Sequence, residues 1–231
     1  MHVQHNNAHL PRSVQAQAAR LVLQANLAYG ESNSNGLSYV QRLKARFECR
    51  EYLDQALALE PENAAALGLL GRVEMDDGQL EKDHALFNAS LNSQPGQAQQ
   101  YCNLGYWALK SERPALAEEY FLRALECDRQ SAAAFCGIAH AKRLQGQFDV
   151  AYLHYRKLLQ TGSHWDSVYS GMLTCAQHLQ IHKADTDLAQ DAIALLRKDG
   201  LPHQEIGRFV GAIIQQQYDL DNPNAEVFLD A

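Results

Sequence analysis

Long apolar runs are missing from this sequence: none approaches the ~18 residues that a membrane-crossing helix requires. The opening residues, MHVQHNNAHLPRSVQAQAAR, lack a basic segment followed by an apolar one. No secretory leader is therefore expected, and a cytoplasmic, reducing setting is. Basic charge is in short supply, with 20 Lys and Arg against 27 Asp and Glu and a formal net charge of -7. That balance counts against a dedicated nucleic-acid binder, which needs clustered cations to meet phosphates. Cysteine is sparse and odd in number, five in all (Cys49, Cys102, Cys127, Cys136 and Cys175), and no CxxC occurs. Each stands in an expected helix where a small apolar residue would serve, so free buried thiols are expected rather than disulfides or a zinc site.

Catalytic signatures are missing as well. There is no GxSxG, no phosphate-binding loop, no strand-led GxGxxG and no HExxH. We expect no enzyme, no cofactor and no metal. His178 and His182 stand one helical turn apart, and Asp185 and Asp187 follow, but solvated side chains at a helix end are the favoured reading of them. Gly207 and Gly211 do not form a membrane dimer motif, because Glu205 and Arg208 share their helix.

What the chain has is a repeat. Stepping by 34 residues, Leu67, Tyr101, Phe135 and Tyr169 fall in one large apolar column. Leu70, Leu104, Ile138 and Met172 form a second, and Gly71, Gly105 and Ala139 a small-residue column. Phe87, Phe121 and Tyr155 form an aromatic one, and Leu57, Leu91, Leu125, Leu159 and Ile193 the last. Within each period the apolar spacing is helical. Gly78 and Gly146 break it at one phase, Pro61 and Pro95 follow its end, and Asn63 and Ser131 are placed to cap the next start. Each period therefore reads helix, turn, helix.

This pattern resembles the tetratricopeptide repeat (TPR), whose motif runs large apolar, Leu-Gly, small, aromatic, small, and often proline. One period supplies Tyr101, Leu104-Gly105, Ala117, Phe121 and Ala124, with Arg129 where proline is usual. Asp83 departs from the small-residue pattern in the period before. The resemblance implies an all-α fold, a right-handed solenoid of stacked antiparallel helix pairs. In it Gly105 would lie where its helix crosses the next, opposite Ala117 and Ala124, close packing offsetting the ~1 kcal/mol helix cost of glycine.

The periodicity places three clear repeats at 64–97, 98–131 and 132–165, with degenerate units at 12–63 and 166–198 completing an array over 12–198. Residues 1–11 read as a disordered N-terminus. In the first unit a helix is expected at about 12–29, then an enlarged turn over GESNSNG (30–36) before a second helix containing RFECREYLDQALALEPEN. A capping helix is expected within 199–218, with Ile206, Phe209, Val210, Ile213 and Ile214 on one stripe. Residues 219–231 read as an acidic tail or linker, as though the chain continues.

In TPR proteins the concave face is lined by certain first-helix positions. The resemblance implies a partner-binding groove here containing Arg72, Asn103, Tyr106, Lys110, His140 and Arg143. Gly68, Gly137 and Gly171 occupy groove positions too. The carboxylate clamp of some members would fall on Gly68, Arg72, Asn103, Ala133 and Gly137, of which only Asn103 agrees, so that mode is not expected. The basic excess at these positions points to a protein or peptide partner bearing acidic residues, against the plainer alternative of a solvated face. The expected function is a non-catalytic adaptor or scaffold. The alternatives are the N-terminal recognition region of a larger bacterial enzyme (methyltransferase, glycosyltransferase or sulfotransferase) and a chaperone of the type III secretion kind.

Overall fold

The computed structural model describes residues 11–34, 36–179 and 186–218. Eleven α-helices and no strand occur among the described residues. They are α1 (Arg12–Ser32), α2 (Tyr39–Leu59), α3 (Ala64–Asp76), α4 (Leu80–Ser93), α5 (Ala98–Lys110), α6 (Pro114–Cys127), α7 (Ala132–Leu144), α8 (Phe148–Gln160), α9 (Asp166–Ala176), α10 (Thr186–Leu196) and α11 (His203–Tyr218). The chain forms two compact units, residues 1–111 and 112–231.

Local chemistry sets the helix ends. The Asn63 side chain accepts the Ala66 N–H at 2.9 Å, and Ser131 accepts that of Ala134 at 3.3 Å, so both residues cap as their spacing predicts. At the other end Gly78 has a φ of +79°. There the Gln79 N–H reaches back to the Glu74 carbonyl and the Gly78 N–H to that of Met75, a pairing that the left-handed glycine makes possible. Gly146 repeats the arrangement at the end of α7, with Gln147 bonded to Lys142 and Gly146 to Arg143.

In the first unit α1 packs on α2, α2 on α3, α3 on α4 and α4 on α5, while the first helices of successive pairs, α1, α3 and α5, also touch in turn. Val22, Ala25, Cys49, Leu53, Ala56, Ala66, Leu69 and Val73 form its main core. Phe87 is fully buried, and a Cβ placed on Gly71 would lie 2.6 Å from its ring. Only glycine lets the α3 backbone come this close to the aromatic. Arg50 pairs with Glu74 at 2.8 Å and with Asp77, which Arg46 also engages, tying α2 to α3.

The first pair is longer than its spacing predicts. Helix α1 continues through Gly30, Glu31 and Ser32, because the Ser32 and Asn33 side chains donate back to the Tyr29 carbonyl at 2.8 and 3.1 Å. They satisfy the helix end instead of breaking it. Helix α2 starts at Tyr39, behind a capping box in which Ser38 and Gln41 bond each other's backbone N–H.

In the second unit α6 packs on α7, α7 on α8, α8 on α9 and α10 on α11, and the first helices α7, α9 and α11 touch in turn. Tyr155, Met172, Leu173, Leu195 and Ile206 are buried in one core. Here the aromatic of one second helix packs on the following first helix: a Cβ on Gly137 would stand 2.3 Å from Phe121, and one on Gly171 2.4 Å from Tyr155. Gly105 in α5 and Ala117 and Ala124 in α6 are all buried. Helix α11 turns Ile206, Phe209 and Ile213 into the core with Val210 against it, while Ile214 is exposed. Four cysteines are buried as expected, but Cys127, in the last turn of α6, is exposed. All five are free.

Asp83 is wholly buried in α4; one carboxylate oxygen accepts the His84 N–H at 2.6 Å and the other has no hydrogen-bond partner. Burial pushes its pKa up against the opposing pull of the His84 N–H and of Lys110. A buried acceptor without a partner costs about 1–3 kcal/mol. Asp83→Ala should therefore stabilise the protein at neutral pH. Because the folded-state pKa is raised, the native protein gains stability relative to the variant as pH falls below that pKa, and the difference should shrink towards the unfolded carboxylate value near pH ~4. Thermal melts of both proteins at neutral and acid pH check this; a pH-independent difference would mean the carboxylate is not the cause.

Candidate partner-binding surfaces

The six residues assigned to the groove divide between the two units. In the first unit Arg72 leans from α3 across to α1, its guanidinium 4.7 Å from the centre of the Tyr29 ring. The Tyr29 hydroxyl donates to Asp76 at 2.7 Å. Burial raises the Tyr29 pKa, Arg72 opposes the rise and Asp76 adds to it. Lys110, exposed at the end of α5, donates through Nζ to the Met75 carbonyl at 2.9 Å. A cation is favoured there, at the negative end of α3. These contacts join the C-terminal ends of α1, α3 and α5. Tyr106 is half-buried.

Asn103 is buried, and its amide is engaged: Nδ2 donates to Gln100 Oε1 at 2.9 Å, and Oδ1 accepts from Gln99 Nε2 at 3.1 Å. Gln100 in turn lies over Gly68, where a Cβ would fall 2.1 Å from its Nε2. Gly68 is thus covered by an amide rather than open to solvent. The column position carried no sign that Gln100 lies over Gly68.

In the second unit His140 and Arg143 belong to a largely buried polar knot. His140 Nδ1 shares a 2.7 Å hydrogen bond with the Tyr155 hydroxyl, and Nε2 lies 3.5 Å from Cys136 Sγ. Burial pushes His140 down to about 4, and the charge of Arg143 adds to that. The charge of Arg143 opposes the rise that burial gives the Tyr155 hydroxyl pKa, while its own Nε is buried without a hydrogen-bond partner. Burial raises Cys136, and it pushes Cys175 up to about 11. Histidine and thiols are therefore held neutral near pH 7, so the Cys136–His140 contact provides neither a thiolate nor a charged acid.

His178 stacks on Phe148 with ring centres 3.9 Å apart, while His182 and Asp185 lie outside the described residues. No cluster of three or more metal-ligating side chains occurs among the described residues, nor any helix long and apolar enough to cross a membrane. One feature escaped the sequence reading: a cavity of about 470 Å³ in the second unit, with Arg129, His154 and Lys157 in its lining. Its one sequence signal was Arg129, standing in the column of Pro61 and Pro95.

Stacked helix pairs with glycines set against the rings of Phe87, Phe121 and Tyr155 define an α-solenoid of short helical repeats. The fold is that of the tetratricopeptide-repeat proteins. Among solved structures, PilF of Pseudomonas aeruginosa is similar at a TM-score of 0.68 and 15% identity, with 95% of each chain covered. PilW, described as a type IV pilus biogenesis factor, is similar at a TM-score of 0.62 and 16% identity over 92% of this chain and 95% of its own. YrrB, described as a TPR protein with an unusual peptide-binding site, is similar at 0.52 and 14% identity over 94% and 95%. No family profile matches the chain, and neither does any curated protein.

Proposed function

We propose that this protein is a non-catalytic scaffold that holds a peptide segment of another protein against its first helices. The observation that carries the reading is the side-by-side placement of first helices within each unit, α1, α3 and α5 in one and α7, α9 and α11 in the other. Such layers are the binding surfaces of helical repeat proteins. In the first unit the face bears Arg72, Tyr106 and Lys110, of which Lys110 is exposed and the other two are half-buried, with Asn103 buried beside Gln100. In the second, His140 and Arg143 are half-buried. The cations select a segment carrying acidic residues, since local charge steers association even when net charge opposes it.

The test uses Arg72→Glu with Lys110→Glu. Arg143 is left intact because it is half-buried, with its Nε fully enclosed. Affinity capture from native lysate with mass spectrometry identifies the partner. The double variant should keep its helical circular dichroism and lose about tenfold or more in affinity for that partner. Binding by the parent protein should weaken as salt is raised. Equal, salt-insensitive binding by a folded variant would place the partner elsewhere.

A further inference from the structure

The cavity of the second unit is built where the turn between α6 and α7 meets the end of α8. Arg129 comes from that turn, Phe135 from the first turns of α7, His154, Lys157 and Leu158 from the last turns of α8, and Ser163 from the segment that follows. Three basic side chains line it and no acidic one does, in a chain whose net charge is -7. No ion pair involves Arg129 or Lys157 among the described residues. The Lys157 ammonium lies 5.8 Å from the centre of the Phe135 ring, an aromatic contact that leaves its ion-pairing capacity unused. Lys142, close to His154, is already paired with Glu118 at 2.7 Å. The positive end of α7 adds to the same field, and the negative end of α8 partly offsets it. Burial, and then Lys142 and Lys157, depress the His154 pKa, with Glu118 opposing them; a group surrounded in this way is relieved by an anion.

The rest of the lining narrows the ligand. Phe135 and Leu158 give an apolar wall, and Leu158 is buried. A volume of about 470 Å³ is that of a pocket for an organic group, far more than a bare inorganic anion fills. Earlier periods carry less of this chemistry: Pro61 and Pro95 occupy the column of Arg129, Leu86 and Tyr120 that of His154, and Ala89 and Arg123 that of Lys157, so one base at most is present in each. We propose that this cavity is a second binding site, distinct from the first-helix faces, that takes a peptide carboxylate flanked by an apolar side chain: the carboxylate against Arg129 and Lys157, the apolar group against Phe135 and Leu158. The proposal rests on the scaffold reading only in taking a peptide as the ligand.

The experiment titrates the full chain, observed by backbone amide NMR, with four probes. One is a capped peptide bearing two glutamates beside a phenylalanine, and the second is its glutamine counterpart. The third is a peptide of the same apolar composition whose sole carboxylate is its free C-terminus, and the fourth is inorganic phosphate. Saturable shifts confined to residues 129–135 and 154–163 are expected with the glutamate or the free-C-terminus peptide. The comparison of those two tells side-chain from terminal carboxylate. Arg129→Glu and Lys157→Glu, both at exposed residues, should each weaken that binding about tenfold while leaving the helical melt unchanged. Arg72→Glu with Lys110→Glu should leave it intact, which separates this site from the first-helix face. Glutamine and glutamate peptides binding alike, no binding by either carboxylate peptide, shifts elsewhere, or phosphate binding as tightly as the peptides would each overturn the proposal.

Discussion

Replacing Phe121 and Gly137 by alanine together should cost less stability than the sum of the two single replacements. Phe121 is fully buried in α6, and truncating such a ring costs about 3–5 kcal/mol. Gly137 lies directly against it: an added Cβ would stand 2.3 Å from Cε1 and from Cζ. The ring is held in a filled core and cannot easily retreat, so Gly137→Ala alone should cost about 1–3 kcal/mol by overpacking. Once the ring is gone, the new methyl enters the space it left. The coupling between the two sites should then be about 0.5–3 kcal/mol in the favourable direction. Urea melts of the wild type, the two singles and the double, followed by circular dichroism, measure it. Additive costs would show that the aromatic column does not pack on the glycine of the following helix.

Removing α11 should be the most damaging truncation. Ile206, Phe209 and Ile213 are buried against a core that includes Tyr152, Met172, Leu173 and Leu195. The Phe209 ring meets Tyr152 edge-on at 6.2 Å, and Gln177 bonds Glu205 at 2.6 Å. Burying each of the three apolar side chains is worth about 1.5–3 kcal/mol. A chain ending at residue 200 should lose that stabilisation and expose a contiguous apolar surface, the condition under which a solenoid end self-associates. Analytical ultracentrifugation should show oligomers, and the denaturation midpoint should fall. A truncated chain that stays monomeric and equally stable would mean the helix serves a contact other than capping.

The repeat was legible because its signals are local and recur. The caps Asn63 and Ser131 and the stops Gly78 and Gly146 each act within a few residues of themselves, and the small-residue column of Gly71 recurs at a fixed step. The first pair was harder to read. GESNSNG looks like a loop by composition, yet Ser32 and Asn33 bond back to the Tyr29 carbonyl and extend α1. The candidate site was legible only as a set of columns. Column position selects a helix face, but it does not tell whether Asn103 will be free for a ligand or occupied by Gln100. That depends on which long side chain crosses a glycine, here Gly68. The basic cavity was missed for a related reason: it joins the turn before one first helix to the end of the next second helix, and no single-helix pattern spans both.

The placing of the thiols makes the molecule its own stopwatch. Cys127 is open to reagent, whereas Cys49 and Cys102 lie inside the first unit and Cys136 and Cys175 inside the second. A modifying reagent reaches the four interior sulfurs only when the helices around them part. Cys127, at the surface, calibrates the uninhibited rate. With Cys127 changed to serine, the trapping of each remaining thiol times the excursions of its own neighbourhood. Comparing Cys49 and Cys102 with Cys136 and Cys175 then tells whether the two halves of the chain open in concert or each on its own schedule.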